Sequence, residues 1–300
     1  MAKQPPFNNQ ETKDLATVLQ NWVLSALTSV KNASGKWVFH GGTALGQAYN
    51  SMRFSEDLDF MVDPSLETIP LMNKVINILK PQVLLTFGPD ATLGLKARQG
   101  DKNPACFHVV LTLPQSMSNV KVKIEFWETK SLSTYAKVTK LTRGHSTIVR
   151  GVQAHAMPAQ VEVADLTQIY ADKWFALTQR AELKHRDVWD LAWLLEKTEI
   201  AALDDQKLND EVMKLKSNYP NCLKGEDWVN TAKNRKDKLE SIQYVSEFKS
   251  EMSRWLPEAV STLPDAWFDD ALQRVANRLE NVIHMIEQNE LGANDGISCR

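Results

Sequence analysis

The chain reads as an α+β protein in two unlike parts: a mixed α/β part over residues 1–160 and a helical part over residues 161–300. Three observations predict this. Apolar periodicity switches between helix and strand before about residue 160 and is helical after it. A glycine pair, Gly41-Gly42, separates a short apolar strand from a short helix. The charge balance changes sign: residues 1–160 carry 17 Lys/Arg against 11 Asp/Glu, and residues 161–300 carry 18 against 26, so a net charge of −2 conceals +6 and −8. Pro158 marks the expected join.

The elements follow in order. Leu15, Val18, Leu19, Trp22, Val23, Ala26, Leu27 and Val30 recur at helical spacing and predict a helix over 11–33. Trp37-Val38-Phe39 is a buried strand, and Thr43-Ala44-Leu45 opens a short helix that Thr43 would cap. Asp57–Val62 is a second strand, and 66–80 is helical. Strand-like pieces follow near 83–87, 93–98, 106–113 and 120–127, the last in clean alternation. The stretch 131–160 carries β-branched residues near 135–149 but no firm assignment. Helices are expected over 162–180, 186–197, 206–217, 235–254 and 268–289, and a frayed tail over 291–300.

Composition excludes several classes. A chain of 300 residues that is 43% hydrophobic and 24% charged is an ordinary globular mix with room for two domains. Cys106, Cys222 and Cys299 are isolated and odd in number, which excludes a zinc ribbon or disulfide scaffold and fits a reducing cytosol. No secretory leader, membrane-length apolar run, P-loop or serine-hydrolase elbow is present, so a cytoplasmic address with no membrane partner is expected.

The chemistry concentrates in residues 40–59. In a strand, side chains two apart share a face, so Asp57 and Asp59 point together while Leu58 and Phe60 point away. Adjacent carboxylates repel, and a divalent cation offsets that repulsion. Oxygen ligands with waters and substrate phosphates suit Mg²⁺. Glu125 lies in Val120–Phe126, where Lys121, Lys123 and Glu125 alternate with apolar residues. If that strand pairs beside Asp57, Glu125 joins the same face, and three carboxylates would hold two metal ions about 3.5–4 Å apart. Otherwise Glu125 is a surface acid balanced by its lysines. Gly41-Gly42 lets the backbone approach a ligand, and the helix N-terminus that follows suits a phosphate. Arg53 either binds phosphate or braces the acids, and Ser55 lies beside them or caps a turn. His40 reads as structural.

The strand–Gly-Gly-Thr–helix unit with Asp-x-Asp is similar to nucleotidyltransferases of the DNA polymerase β kind. His40-Gly41-Gly42-Thr43-Ala44-Leu45, with Arg53-Phe54-Ser55-Glu56-Asp57-Leu58-Asp59-Phe60, resembles the AbiEii/AbiGii toxin branch. Downstream, Ala171-Asp172-Lys173-Trp174-Phe175, Arg180 and Arg186-Asp187-Val188-Trp189-Asp190 resemble that branch's helical motifs. The resemblance spans roughly 37–195. It implies that Asp57 and Asp59 bind metal and that Gly41, Gly42, Thr43, Arg53 and Ser55 face an NTP. It also implies that Lys173 contacts the triphosphate and that Asp187 completes the acidic site in a cleft between the two parts, with Glu125 or Asp187 as the third acid. Much of the wider superfamily has Gly-Ser where this chain has Gly-Gly, so a hydroxyl contact must come from Thr43 or Ser55.

The activity the resemblance implies is Mg-dependent transfer of a nucleoside monophosphate to an acceptor, with release of pyrophosphate. The setting is a toxin–antitoxin or phage-defence pair with a separate antitoxin. The acceptor implied is the 3′ end of a tRNA; a protein or small molecule is the alternative, and a catalytically silent binding protein the second. From Lys96 to Arg150 ten Lys/Arg face three Asp/Glu, which is either ordinary surface charge or a phosphate-backbone track.

Overall fold

The structure, a computed structural model, describes residues 7–99, 103–113, 119–129, 132–216 and 222–295. The chain divides into two units, Met1–Ala164 and Asp165–Arg300.

Unit 1 opens with α1 (Asn9–Ser29), whose Asn8 and Glu11 form a reciprocal capping box and whose apolar stripe is buried from Leu15 to Leu27. There follow β1 (Trp37–His40), α2 (Gly41–Tyr49), β2 (Asp57–Val62), α3 (Thr68–Phe87), β3 (Thr92–Gln99), β4 (Ala105–Thr112), β5 (Asn119–Glu128), β6 (Lys137–Leu141), β7 (His145–Val149), β8 (Val152–Ala156) and β9 (Gln160–Ala164). Among the described residues seven strands make one mixed sheet in the order β3-β4-β5-β2-β1-β9-β6, and β7-β8 form a separate hairpin. The β2 strand runs antiparallel to β1 and parallel to β5.

The sheet has two chemically different faces. On one, Phe39, Phe60 and Phe126 sit at matching register positions of β1, β2 and β5. Their rings follow one another at 5.5 and 5.3 Å, and Phe107 continues the ladder at 5.9 Å. All four are buried. The other face carries His40, Asp57, Asp59, Lys123 and Glu125.

Two expectations for unit 1 change. The strand near 83–87 is instead the end of α3. Leu79 and Val83 extend the buried stripe of Leu71, Met72, Val75 and Ile76, and Pro81 is accommodated on the exposed side. The join falls after Ala164 rather than at 160, because Val161 and Val163 alternate as a strand beside β1 and β6.

Unit 2 is helical: α4 (Leu166–Gln179), α5 (His185–Leu195), α6 (Thr198–Ala201), α7 (Asp205–Lys216), α8 (Gly225–Leu239), α9 (Ile242–Met252), α10 (Glu258–Ser261) and α11 (Asp265–Asp295). Asp165 starts α4 by accepting the Gln168 N–H at 2.8 Å. The single helix expected over 235–254 is two, with the chain turning at Glu240-Ser241 before α9. The tryptophans pack helices: Trp174 lies edge-on to Tyr170, and Trp189 tilts against Trp267. The end of the expected frayed tail, with Cys299, lies outside the described residues. No helix among the described residues is long and apolar enough to cross a membrane.

Phe60 occupies the centre of the aromatic ladder. We expect Phe60→Ala to cost about 3–5 kcal/mol, measured as a lower midpoint in urea denaturation of the full chain.

Candidate active site

Helix α2 begins directly at the end of β1. His40, extended at φ −147°, precedes it without a side-chain cap. Gly41 then takes φ +79°, a conformation that costs an L side chain about 1–2 kcal/mol. A Cβ built there would stand 2.5 Å from Asp59 Oδ2, so the first turn rests against the carboxylate because Gly41 has no side chain. A Cβ on Gly42 would meet Arg53 Nη2 at 2.1 Å and Ser55 Oγ at 3.2 Å. The glycine pair is therefore required by close approach on both sides, to an acid and to a guanidinium.

Arg53 is 4% exposed and donates from Nη1 to the Phe54 carbonyl at 2.9 Å. Its guanidinium lies against Gly42 in the first turn of α2. Thr43 does not cap the helix: it is the third residue of α2, and its hydroxyl donates to the Asp57 carbonyl, tying α2 to β2. The physical reason is Gly41, whose positive φ starts the helix ahead of Thr43. The Ser55 hydroxyl has no hydrogen-bond partner among the described residues, so of the two hydroxyls it is the one available to a phosphate. Its backbone carbonyl is held by Gln20 Nε2 at 2.8 Å. Thr43 and Ser55 also line a cavity of about 400 Å³, together with Gln47, Ser51, Arg143 and His145.

Asp57 and Asp59 share the open face of β2, and the expected neighbour is in place. β5 pairs with β2 in parallel, Asp57 opposite Lys123 and Asp59 opposite Glu125. The expected three-carboxylate metal set is not assembled, however. Among the described residues no three His, Cys, Asp or Glu side chains are grouped so as to hold a metal ion. Glu125 is instead paired with Lys123 at 2.8 Å, and the same ammonium stands 3.9 Å from Asp57. Partial burial works to lower the Lys123 pKa, but the Glu125 hydrogen bond and the Asp57 charge outweigh it and raise the value. Asp57 and Asp59 fit a divalent cation by donor chemistry: hard oxygens on one face, with Asp59 against a glycine that leaves room for it.

The helical motifs build a polar centre within unit 2. Lys173 Nζ lies 2.8 Å from Asp187 Oδ1 and 2.7 Å from Asp190 Oδ2. Arg180 pairs with the second oxygen of Asp187. Two cations meet two carboxylates, and Asp190 is fully buried. Arg186 is not part of this group and lies over the Trp255 ring at 4.3 Å. Sequence reasoning gave Asp190 no role of its own; its position three residues after Asp187, on the same helical face, was the available signal.

A glycine-initiated helix lies against a strand with alternating aspartates, which sets a helix N-terminus beside a pair of carboxylates. The comparisons then place it. Residues 22–274 match the family described as nucleotidyl transferase AbiEii toxin, type IV TA system, and the chain belongs to that family. No curated protein matches. Among solved structures, JHP933 from Helicobacter pylori is 15% identical with a TM-score of 0.49, covering 97% of this chain and 99% of its own. The nucleotidyltransferase toxin MenT4 from Mycobacterium tuberculosis is 16% identical with a TM-score of 0.49, covering 92% of this chain and 93% of its own.

Two outcomes follow. Gly41→Ala should destabilise the chain by about 1–2 kcal/mol through its backbone conformation and should displace Asp59, read by thermal denaturation and by loss of divalent-cation binding. Lys173→Met leaves Asp187 and Asp190 short of a cation and should cost about 3–5 kcal/mol, read by urea denaturation. The triple variant Lys173→Met, Asp187→Asn, Asp190→Asn should recover part of that loss.

Proposed function

We propose that this toxin transfers a nucleoside monophosphate from an NTP to an acceptor hydroxyl with release of pyrophosphate, and that the acceptor is the 3′ end of a tRNA. The observation that carries the reading is the contact between the two halves of the motif: the first turn of α2 touches the Asp59 carboxylate through Gly41. A triphosphate at the α2 N-terminus would meet unpaired backbone N–H groups, the Ser55 hydroxyl and the positive field of Arg53. Asp57 and Asp59 would hold Mg²⁺ beside it, with substrate oxygens completing the coordination. When bound, the metal supplies neutralisation of the triphosphate and a lowered pKa for the acceptor hydroxyl. The protein residues position the reactants, and positioning with charge neutralisation provides most of the acceleration in phosphoryl chemistry.

Lys173 is assigned to the triphosphate by its place in the family pattern. Its ammonium carries three N–H donors and is held by the carboxylates of Asp187 and Asp190, so a phosphate oxygen at that ammonium would join an arrangement already fixed in place.

The test incubates the purified chain with each α-labelled NTP, Mg²⁺ and total RNA. Label should appear at RNA 3′ ends and disappear with Asp57→Asn, Asp59→Asn. Label confined to protein or to a small molecule rejects the RNA acceptor. A double variant that inhibits growth as strongly as the parent at equal expression rejects catalysis as the source of toxicity.

A further inference from the structure

The open face of the sheet carries a feature separate from the acids. Lys96 on β3 pairs in register with His108 on β4, His108 with Lys123 on β5, and Lys123 with Asp57 on β2. Register partners point to the same face, so these four side chains form a row across four adjacent strands. At about 4.8 Å per strand the row is roughly 14 Å long. Lys121 stands two residues from Lys123 on the same face, opposite Val110 and Gly94. Arg98 follows Lys96 along the edge strand. Lys96, Arg98 and Lys121 are exposed and make no ion pair among the described residues.

The cluster is dense enough to act on the group at its centre. Burial first, then the charges of Arg98, Lys121 and Lys123, holds the His108 imidazole pKa below its ordinary value, with Asp57 opposing. Cations so placed repel one another, and cross-strand neighbours of like charge are destabilising. Lys123 is offset by Glu125 and Asp57. Lys96, Arg98 and Lys121 are not, and the ligand that offsets such a row is a polyanion with regularly spaced charges. The opposite face of β4 and β5 is the aromatic and aliphatic core, so register confines Lys96, Lys121 and Lys123 to one surface; Arg98 lies at the irregularity of β3 between Ala97 and Gln99. Two other cations of the basic stretch, Lys102 and Lys130, lie outside the described residues.

We infer that the open face of β3–β4–β5 is a docking track for the phosphate backbone of a single RNA strand, running from Lys96 and Arg98 past Lys121 to Asp57. This rests on the proposed polynucleotide acceptor and deepens it by naming the surface. At about 3.4 Å of rise per stacked nucleotide, the row accommodates roughly four nucleotides. No base-reading motif lies along it, so the track binds RNA without sequence preference, and selection of the acceptor falls to other features.

The test uses the full chain and a fluorescent twelve-nucleotide single-stranded RNA with a blocked 3′ end, read by anisotropy across a salt series. The variant is Lys96→Gln, Arg98→Gln, Lys121→Gln. The control is Lys74→Gln, Lys80→Gln on exposed positions of α3. The track variant should bind one to two orders of magnitude more weakly at about 50 mM salt, with a log K against log salt slope shallower by about two. Its melting temperature should match the parent's, and the control should bind as the parent does. Parental affinity and slope in the track variant, or an equal loss in the control, overturns the track. Poly-glutamate binding as tightly as RNA overturns the assignment to RNA. The blocked end keeps this result separate from catalysis: RNA bound through these residues, with no label passed to unblocked RNA or any other acceptor in the labelled-NTP assay, rejects the proposed reaction and not the track. Transfer to a non-RNA acceptor with no RNA binding rejects the track and leaves nucleotidyl transfer standing.

Discussion

The structure of the site depends on the register of β2 between β1 and β5. Strand side chains alternate with a period of two, so a slip of one residue would move Asp57 and Asp59 into the core and Leu58 and Phe60 into water. Phe39, Phe60 and Phe126 hold that register from behind, one ring from each strand at matching positions. Because the aromatic contacts lie on one face, the polar groups of the other face have their places set without having to attract one another. That matters for two carboxylates that repel. Their proximity is imposed by packing, and the apolar ladder carries its cost.

The glycines act on the same arrangement from the side. Gly41 brings the α2 N-terminus against Asp59, and Gly42 leaves room for Arg53. A buried guanidinium under a helix N-terminus adds positive potential where the helix dipole already favours anions. The tie from the Thr43 hydroxyl to the Asp57 carbonyl fastens α2 to β2 at the same point. Cradle and acid strand are thus one mechanical piece. The polar centre of unit 2 follows another logic. Lys173, Asp187 and Asp190 are buried, so losing a partner among them is costly, while Arg180 reaches Asp187 from an exposed position.

Much of this was legible in the sequence because it rests on short-range rules. Alternation in 57–60 and 120–127 assigned the faces, and Gly41-Gly42 marked the point where β1 gives way to α2. What remained hidden was of two kinds. Parallel pairing of β2 with β5 joins segments far apart in the chain, so the opposition of Asp59 and Glu125 was only conditional until the fold was known. Side-chain competition was also hidden: Lys123 and Glu125 alternate on one strand, and which acid the ammonium would take depends on spacing across the pleat. Local propensity misled at 83–87 and at Thr43, where the continued apolar stripe of α3 and the positive φ of Gly41 prevailed.

The near-neutral net charge also takes on structural meaning. On the polar face of β2–β5 charge is sorted by strand: Lys96 on β3, Lys121 and Lys123 in the first part of β5, Glu125 further along β5, and Asp57 and Asp59 on β2. Lys123 stands at the junction, in register with Asp57 and hydrogen-bonded to Glu125. A uniform basic surface would attract a polyanion equally at every point. Under the proposed reading, a gradient that ends in carboxylates would hold the backbone over the cations and leave the acids clear for a metal and triphosphate, a bound cation reversing the local sign.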